Sequence, residues 1–416
     1  MTKDLPRILL VTEASLSQEK TGLNRTLLNL FEDYPKDRFM LYASDKSIRN
    51  NPPSPSFKDG VVSFKEQPIS HISNRLGRFI NPFLTIINHQ IIDFFPLANQ
   101  NKIDDFKPEV ILICPNASVD LIVGYKVTQL FDIPFLIYFM DDWSELWHTE
   151  WLTGNIQSIY KSILEKASGW LMISRELENK KIERYKVFPL RSLIVHNPVD
   201  LSNKTFPEPT PHNEKTFRVV YAGSIFSMHY DAIAVVAEAI YELRRSGVDI
   251  ELVLYTDQSF WNNYQINWQK WEVIYGSKIP YDQLNQYLQK AKLLLVASSF
   301  LPEMTGFTSS SVQTKLTDYM VSGTPILACG PTYSACNQFI KDWNCGLVCE
   351  TNEVAVIQKL LLKQMENSTE LESLARNAFA VVSNHFDANK VRANLYEFIQ
   401  ETTEDRLISN QNHNNI

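Results

Sequence analysis

Short apolar runs recur along this chain: ILLV at 8–11, VILI at 110–113, FLIY at 135–138, VVYA at 219–222 and LLLV at 293–296, with longer amphipathic stretches between them. A run that is apolar at every position suits a strand buried on both faces, and such strands joined by crossover helices build parallel sheets. The expected fold class is therefore α/β. Strands are expected at 7–11, 39–42, 110–114, 135–138, 170–173 and 192–196. The segment Asn197-Pro198-Val199-Asp200 ends this first series, and residues 201–215, LSNKTFPEPTPHNEK, are polar and Pro-rich in the manner of a linker. A second series follows, with strands expected at 217–222, 250–255, 271–275, 293–297, 325–328 and 346–349 and helices at 231–245, 281–290, 312–321 and 353–365. The helical segments 370–385 and 389–402 have no strand after them, and the tail from Arg406 is expected to be disordered. The expected organisation is a Rossmann-like domain over 1–203, a second over 204–388, a helix over 389–405 that packs back on the first domain, and a tail over 406–416. Two open sheets of this kind are expected to face each other across a cleft.

A chain of 416 residues is long for one core, which agrees with two domains. Its formal net charge of -7 argues against general affinity for nucleic acid or an anionic surface. Cys114, Cys329, Cys336, Cys345 and Cys349 form no CxxC pair and no pattern with histidine, so they read as reduced core residues rather than as a disulfide or zinc framework. No metal motif is present. The N-terminal apolar run is too short for a secretory signal, and no stretch reaches the roughly 18 apolar residues of a membrane span. A cytoplasmic protein is expected.

Ligands of open α/β sheets bind beyond the carboxyl ends of the strands, so residues directly after strands are the first candidates. The stretch SSSVQTKLTDYMVSGTP, 309–325, reads as a hydroxyl-rich loop, a helix and a Gly-Thr-Pro stop. A helix N-terminus favours an anion such as a diphosphate. Ser311, Lys315 and Asp318 follow at i, i+4 and i+7 and are expected on one helical face, where a cation and a carboxylate a turn apart would grip the two ends of a ribose diphosphate. A capped surface helix between two strands is the plainer reading of the same residues.

The order of these segments resembles that of glycosyltransferases of GT-B fold, of the retaining family 4 type, over nearly the whole length. Val219-Val220-Tyr221-Ala222-Gly223-Ser224 is similar to the strand and turn that open the family's second domain, and 271–276, 281–291 and 294–298 to its nucleotide-contacting strand, helix and strand. Asn197-Pro198-Val199-Asp200 is similar to its Asn-Gly-Val-Asp interdomain signature. The family carries two glutamates eight positions apart, the second five residues before Gly-x-Pro; here Ser310 and Asp318 occupy those places, and Glu303 is an alternative for the first. Thr314-Lys315-Leu316-Thr317-Asp318 resembles a subgroup with a hydroxyl residue, Lys and an acid. The resemblance implies that Asp318 holds the ribose hydroxyls and Lys315 the diphosphate, with Gly223, Ser224, Ser310 and Ser311 around them. Where the family places Arg or Lys after the first Gly of the second domain, this chain has Ser224-Ile225-Phe226-Ser227-Met228-His229. The first βα turn lies where the family has a Gly-rich phosphate loop; Gly22 and Arg25 are the candidates there, and a plain solvent loop is the other reading.

On the acceptor side, Asp141 and Asp142 follow an apolar strand with side chains expected to point in different directions; Asp141 is favoured as acid or base with Asp142 as the alternative, and Asp142 also reads as a helix cap. Trp143, Trp147 and Trp151 recur every four residues with His148 beside them, as a core stripe or as faces for sugar rings. His229 reads as a helix-start residue. Residues 71–95 are apolar and aromatic, carry Arg75 and Arg78, and read either as a sheet-covering helix or as a peripheral contact with the inner face of a membrane. The implied activity is a metal-independent, retaining hexosyltransferase that uses a UDP- or GDP-sugar as co-substrate, with no separate cofactor. The implied acceptor is a glycan or lipid-linked saccharide, in surface polysaccharide synthesis. A nucleotide-sugar epimerase on the same fold and a silent nucleotide-sugar-binding homologue are the alternatives.

Overall fold

A computed structural model of the chain describes residues 5–17, 22–64, 80, 83, 84, 87, 88, 96–116, 118–142, 158, 160–202, 204–207 and 216–413. It divides into two units, Met1–His196 with Asn389–Ile416, and Asn197–Ala388. Among the described residues of the first unit, seven strands form one sheet in the order β3-β2-β1-β4-β5-β6-β7: β1 (Ile8–Thr12), β2 (Phe39–Ser44), β3 (Val61–Phe64), β4 (Val110–Ile113), β5 (Phe135–Phe139), β6 (Gly169–Met172) and β7 (Ser192–Ile194). Every pairing is parallel. The second unit has β8 (Phe217–Ala222), β9 (Ile250–Tyr255), β10 (Ile274–Tyr275), β11 (Leu293–Ala297), β12 (Ile326–Cys329) and β13 (Leu347–Cys349), in the order β10-β9-β8-β11-β12-β13 and again all parallel. Each is a doubly wound, Rossmann-like sheet.

The continuous apolar runs have the cause expected of them. In β1, Leu9 and Val11 enter one core cluster while Ile8 and Leu10 enter another, and in β8, Val219 and Tyr221 separate from Val220 and Ala222 in the same way. Successive side chains point to opposite faces, both covered, which is why these runs are apolar at consecutive positions. The Ser227–Arg245 helix covers one face of the second sheet through Ile233, Val236, Ala237 and Ile240, spaced to form one stripe. Each fully buried Ile or Val contributes about 1.5–3 kcal/mol relative to exposure. The helix ends where Gly247 takes a left-handed φ of 92° and its N–H returns to the Arg244 carbonyl at 2.9 Å.

The structure departs from the sequence expectations at several elements. β3 was not anticipated, because VVSF is short and alternates in burial at the sheet edge. The strand expected over 271–275 shrinks to Ile274–Tyr275, since Trp271 caps the Gln265–Lys270 helix and its N–H bonds to the Asn267 carbonyl at 3.1 Å. The unit boundary lies ahead of the Pro-rich stretch, because Asn197 and Val199 belong to the second unit. Asn197 Nδ2 donates to Thr317 Oγ1 at 3.2 Å, and Val199 bridges to Asp387. The last helix, Ala388–His413, places Leu395 and Ile399 in the core cluster of Ile8 and Leu10. Arg392 Nε donates to the Asn29 carbonyl at 2.6 Å and the Tyr396 hydroxyl to that of Leu30 at 2.7 Å. The expected disordered tail is helical as far as His413. All five cysteines are free and buried.

Candidate functional site

The strand order of the second unit reverses between β8 and β11, which is where such sheets bind ligands. β8 ends at Ala222, and Gly223 follows with φ of 135°, a conformation that favours glycine. A Cβ at Gly223 would lie 3.0 Å from Lys315 Nζ and 3.3 Å from its Cε, so only glycine leaves that space to the lysine. Lys315 Nζ lies 3.6 Å from the centroid of the Tyr221 ring. The stem of Lys315 is partly exposed, but Nζ itself is enclosed and has no hydrogen-bond partner. Among the described residues it forms no ion pair. Burial lowers its pKa from the ordinary 10.5 to about 7, because water no longer solvates the charge.

The Lys315–Ser322 helix holds this side chain in place. Leu316, Tyr319 and Met320 face the core, and the Tyr319 hydroxyl accepts from the Ala222 N–H at 2.8 Å, pinning the helix to the end of β8. At the other end, Gly323 takes φ of 72°, and a Cβ there would meet Pro207 Cδ at 2.8 Å. The helix begins at Lys315 rather than at 312, since Gln313 is drawn to the sheet: its Nε2 donates to the Ala297 carbonyl at 2.7 Å. Ser311 therefore lies outside the helix, and the face expected to carry Ser311, Lys315 and Asp318 keeps only the last two.

Two neutral groups flank the lysine. His229 is buried, with Nδ1 accepting from the Phe226 N–H at 3.4 Å and a ring N–H donating to the Ser224 carbonyl. Burial first, and then the nearby Lys315, hold its pKa well below 6.5. Cys336, on the Ala335–Asp342 helix, is kept a thiol by burial. The Ser224 carbonyl also accepts from the Tyr221 hydroxyl at 2.7 Å, so the turn after β8 is braced from two sides. His229 is thus a strut of this turn, a role its place at a helix start did not reveal.

Asp318 sits one turn beyond Lys315 and is 7% exposed, and its Oδ1 accepts from the Tyr281 hydroxyl at 2.9 Å. Tyr281 opens the Tyr281–Leu288 helix, 37 residues away in sequence, and nothing in the sequence pairs the two. Ser310 and Ser311 are buried; Ser310 Oγ donates to the Gly306 carbonyl at 2.8 Å, and the Ser311 carbonyl accepts from Cys336 Sγ at 3.6 Å. Glu303 is exposed on the Pro302–Met304 turn.

In the first unit, Gly22 is the first residue of the Gly22–Phe31 helix and Arg25 lies in its first turn. Asn24, between them, accepts from the Leu16 N–H at 3.0 Å and ties down the loop. Asp141 and Asp142 follow β5 and differ sharply. Asp141 is partly exposed. Asp142 is fully buried, with Oδ1 accepting from Lys181 Nζ at 2.6 Å and Arg184 at 3.1 Å, and Oδ2 from Arg184 at 3.1 Å. Charged donors on both oxygens suit a structural anion. Trp143, Trp147, His148 and Trp151 lie outside the described residues, as does most of 71–95. Among the described residues no group of His, Cys, Asp or Glu is arranged to hold a metal, and no helix is long and apolar enough to cross a membrane.

Residues 216–367 match the family model described as Glycosyl transferases group 1. No curated protein matches the sequence. Among solved structures, Anabaena HepE in complex with UDP is similar at a TM-score of 0.67 and 14% identity, over 95% of this chain and 100% of that one. Sucrose-phosphate synthase from Thermosynechococcus elongatus gives 0.67 and 13% over 95% and 98%, and a glycosyltransferase from Rickettsia africae ESF-5 gives 0.68 and 12% over 96% and 99%. The second unit, over 216–367, thus matches the group 1 glycosyl transferases, and the chain has the fold of the GT-B glycosyltransferases.

Proposed function

We propose that this chain is a glycosyltransferase that moves a hexose from a nucleotide-diphosphate sugar to a glycan or lipid-linked saccharide acceptor, with retention and without a metal. One observation carries the reading: a buried lysine amine at the β8/β11 switch point, directly over Gly223, with no counter-charge of its own. A diphosphate supplies that charge. Lys315 and the backbone amides around Gly223 and the start of the Lys315–Ser322 helix stabilise the diphosphate as it leaves the anomeric carbon, in a place fixed before the reaction begins. Asp318, oriented by Tyr281, takes the ribose hydroxyls. Asp141 is the acceptor-side acid or base. HepE has been captured with UDP and with UDP-glucose, which favours a uridine donor here as well.

Thermal shift and calorimetry with UDP and GDP test the donor site, since a ligand that binds the folded state raises its apparent stability. Incubation with a panel of radiolabelled nucleotide sugars then tests the activity. Transfer or hydrolysis supports the proposal; an isomerised sugar would mark an epimerase, and binding without turnover a silent homologue.

A further inference from the structure

We propose that donor binding at this site is coupled to uptake of a proton by Lys315, which at mildly alkaline pH is a neutral amine in the ligand-free protein and becomes an ammonium as the diphosphate arrives. The inference rests on the reading of the site as a diphosphate pocket and adds to it the protonation step.

The geometry carries the argument. An ammonium taken out of water without a hydrogen-bonded anion costs several kcal/mol, and such a group commonly sheds its proton instead. The other elements packed around Nζ present neutral groups, and the one carboxylate on its own helix, Asp318, is engaged by Tyr281. From β8 comes the Tyr221 ring, whose hydroxyl is committed to the Ser224 carbonyl. The Ser227–Arg245 helix presents His229, uncharged and held by Phe226 and Ser224. From the Ala335–Asp342 helix comes the Cys336 thiol. On the lysine's own helix, Asp318 takes the Tyr281 hydroxyl and Tyr319 is bonded to Ala222. The amine's lowered pKa, near 7, agrees with these surroundings. The segment 224–229 that follows Gly223 contains no Arg or Lys, so the charge facing a ligand there depends on Lys315. When a diphosphate sits beside Nζ, attraction between opposite charges raises the amine's pKa, and its lone pair takes a proton from solvent. One N–H bond forms as the buffer acid's bond to hydrogen breaks, and no bond to phosphorus changes.

Calorimetric titration of UDP into the whole chain, in paired buffers of different ionisation enthalpy, reads this directly. Near pH 8.5 the nucleotide's own phosphate is fully ionised, since its last proton leaves near pH ~6, so the protein must supply the binding site for any proton taken up. The expected result is uptake of about one proton per UDP near pH 8.5, falling toward zero near pH ~6, with affinity weakening up to tenfold per pH unit above neutrality. In Lys315→Arg the guanidinium is always charged, so UDP should bind with no uptake from this position. Wild-type binding without buffer-dependent heat near pH ~8.5 would overturn the proposal and leave the nucleotide site standing. Undiminished uptake in Lys315→Arg would also overturn it. Failure of both UDP and GDP to bind at any pH would overturn the nucleotide reading, and this proposal with it.

Discussion

Two lysines with enclosed amines, one in each unit, make opposite uses of the same chemistry. Lys181 is 1% exposed and sits 4.8 Å from the Phe139 ring, but its Nζ meets Asp142 at 2.6 Å, and Arg184 completes the cluster. Lys315 likewise rests on an aromatic face, 3.6 Å from the Tyr221 ring, yet has neither an ion pair nor a hydrogen bond at Nζ. A charge neutralised within the fold is part of the architecture. An enclosed amine facing neutral groups is a feature the fold tolerates at a cost, and such costs gather at sites whose counter-charge arrives with a ligand.

Substitution of each lysine by methionine is the sharpest way to break the comparison. Lys181→Met leaves Asp142 buried with one cationic partner fewer, and denaturant unfolding should show a loss of about 3 kcal/mol, with UDP affinity unchanged in the folded protein. Lys315→Met should do the reverse. UDP affinity falls about 100-fold, or ~2.7 kcal/mol, because a charge-assisted contact is lost, while stability at neutral pH holds or rises by about 1 kcal/mol. Gly223→Ala combines a strained φ with a methyl group 3.0 Å from Nζ. It should weaken UDP binding about tenfold in the same titration. Tyr281→Phe removes the hydroxyl that orients Asp318, and a loss near 1 kcal/mol, about fivefold in affinity, is expected. That loss should vanish in an Asp318→Ala background, a coupling that a double-mutant cycle measures.

The pH dependence of stability separates the two lysines again. The folded protein releases the Lys315 proton near pH 7 and the unfolded chain near 10.5, so between these values the unfolded state holds more protons and stability rises with pH. Lys315→Met should lack that rise and Lys181→Met should keep it, as read from denaturation midpoints. His229 acts at the acid end: its folded pKa lies well below 6.5, so its contribution is complete above 6.5 and is lost as the pH falls.

Much of this was legible in the sequence because period and burial agree. β8, β9 and β11 run over the expected residues, since apolar runs with both faces covered leave little choice of register. Lys315 and Asp318 were legible as a pair from their spacing on one helix. Contacts across the fold were not. Asp142 and Lys181 lie 39 residues apart and Tyr281 and Asp318 lie 37 apart, and only the parallel topology brings them together. The adjacent acids after β5 were expected to point in different directions, but that Asp142 enters a cationic cluster while Asp141 is partly exposed was not legible in the local sequence. The start of the 315–322 helix was misjudged because the glutamine at 313 bonds to the end of β11 instead of to its own helix, which local propensity does not encode.

The central claim is that the enclosed amine of Lys315 is the anchor for a nucleoside diphosphate. UDP titrated by calorimetry into the wild-type chain and Lys315→Ala, at neutral pH, tests it most directly. Binding to the wild type that weakens at least ~50-fold in the variant is the expected result; equal affinity in the two proteins would contradict the claim.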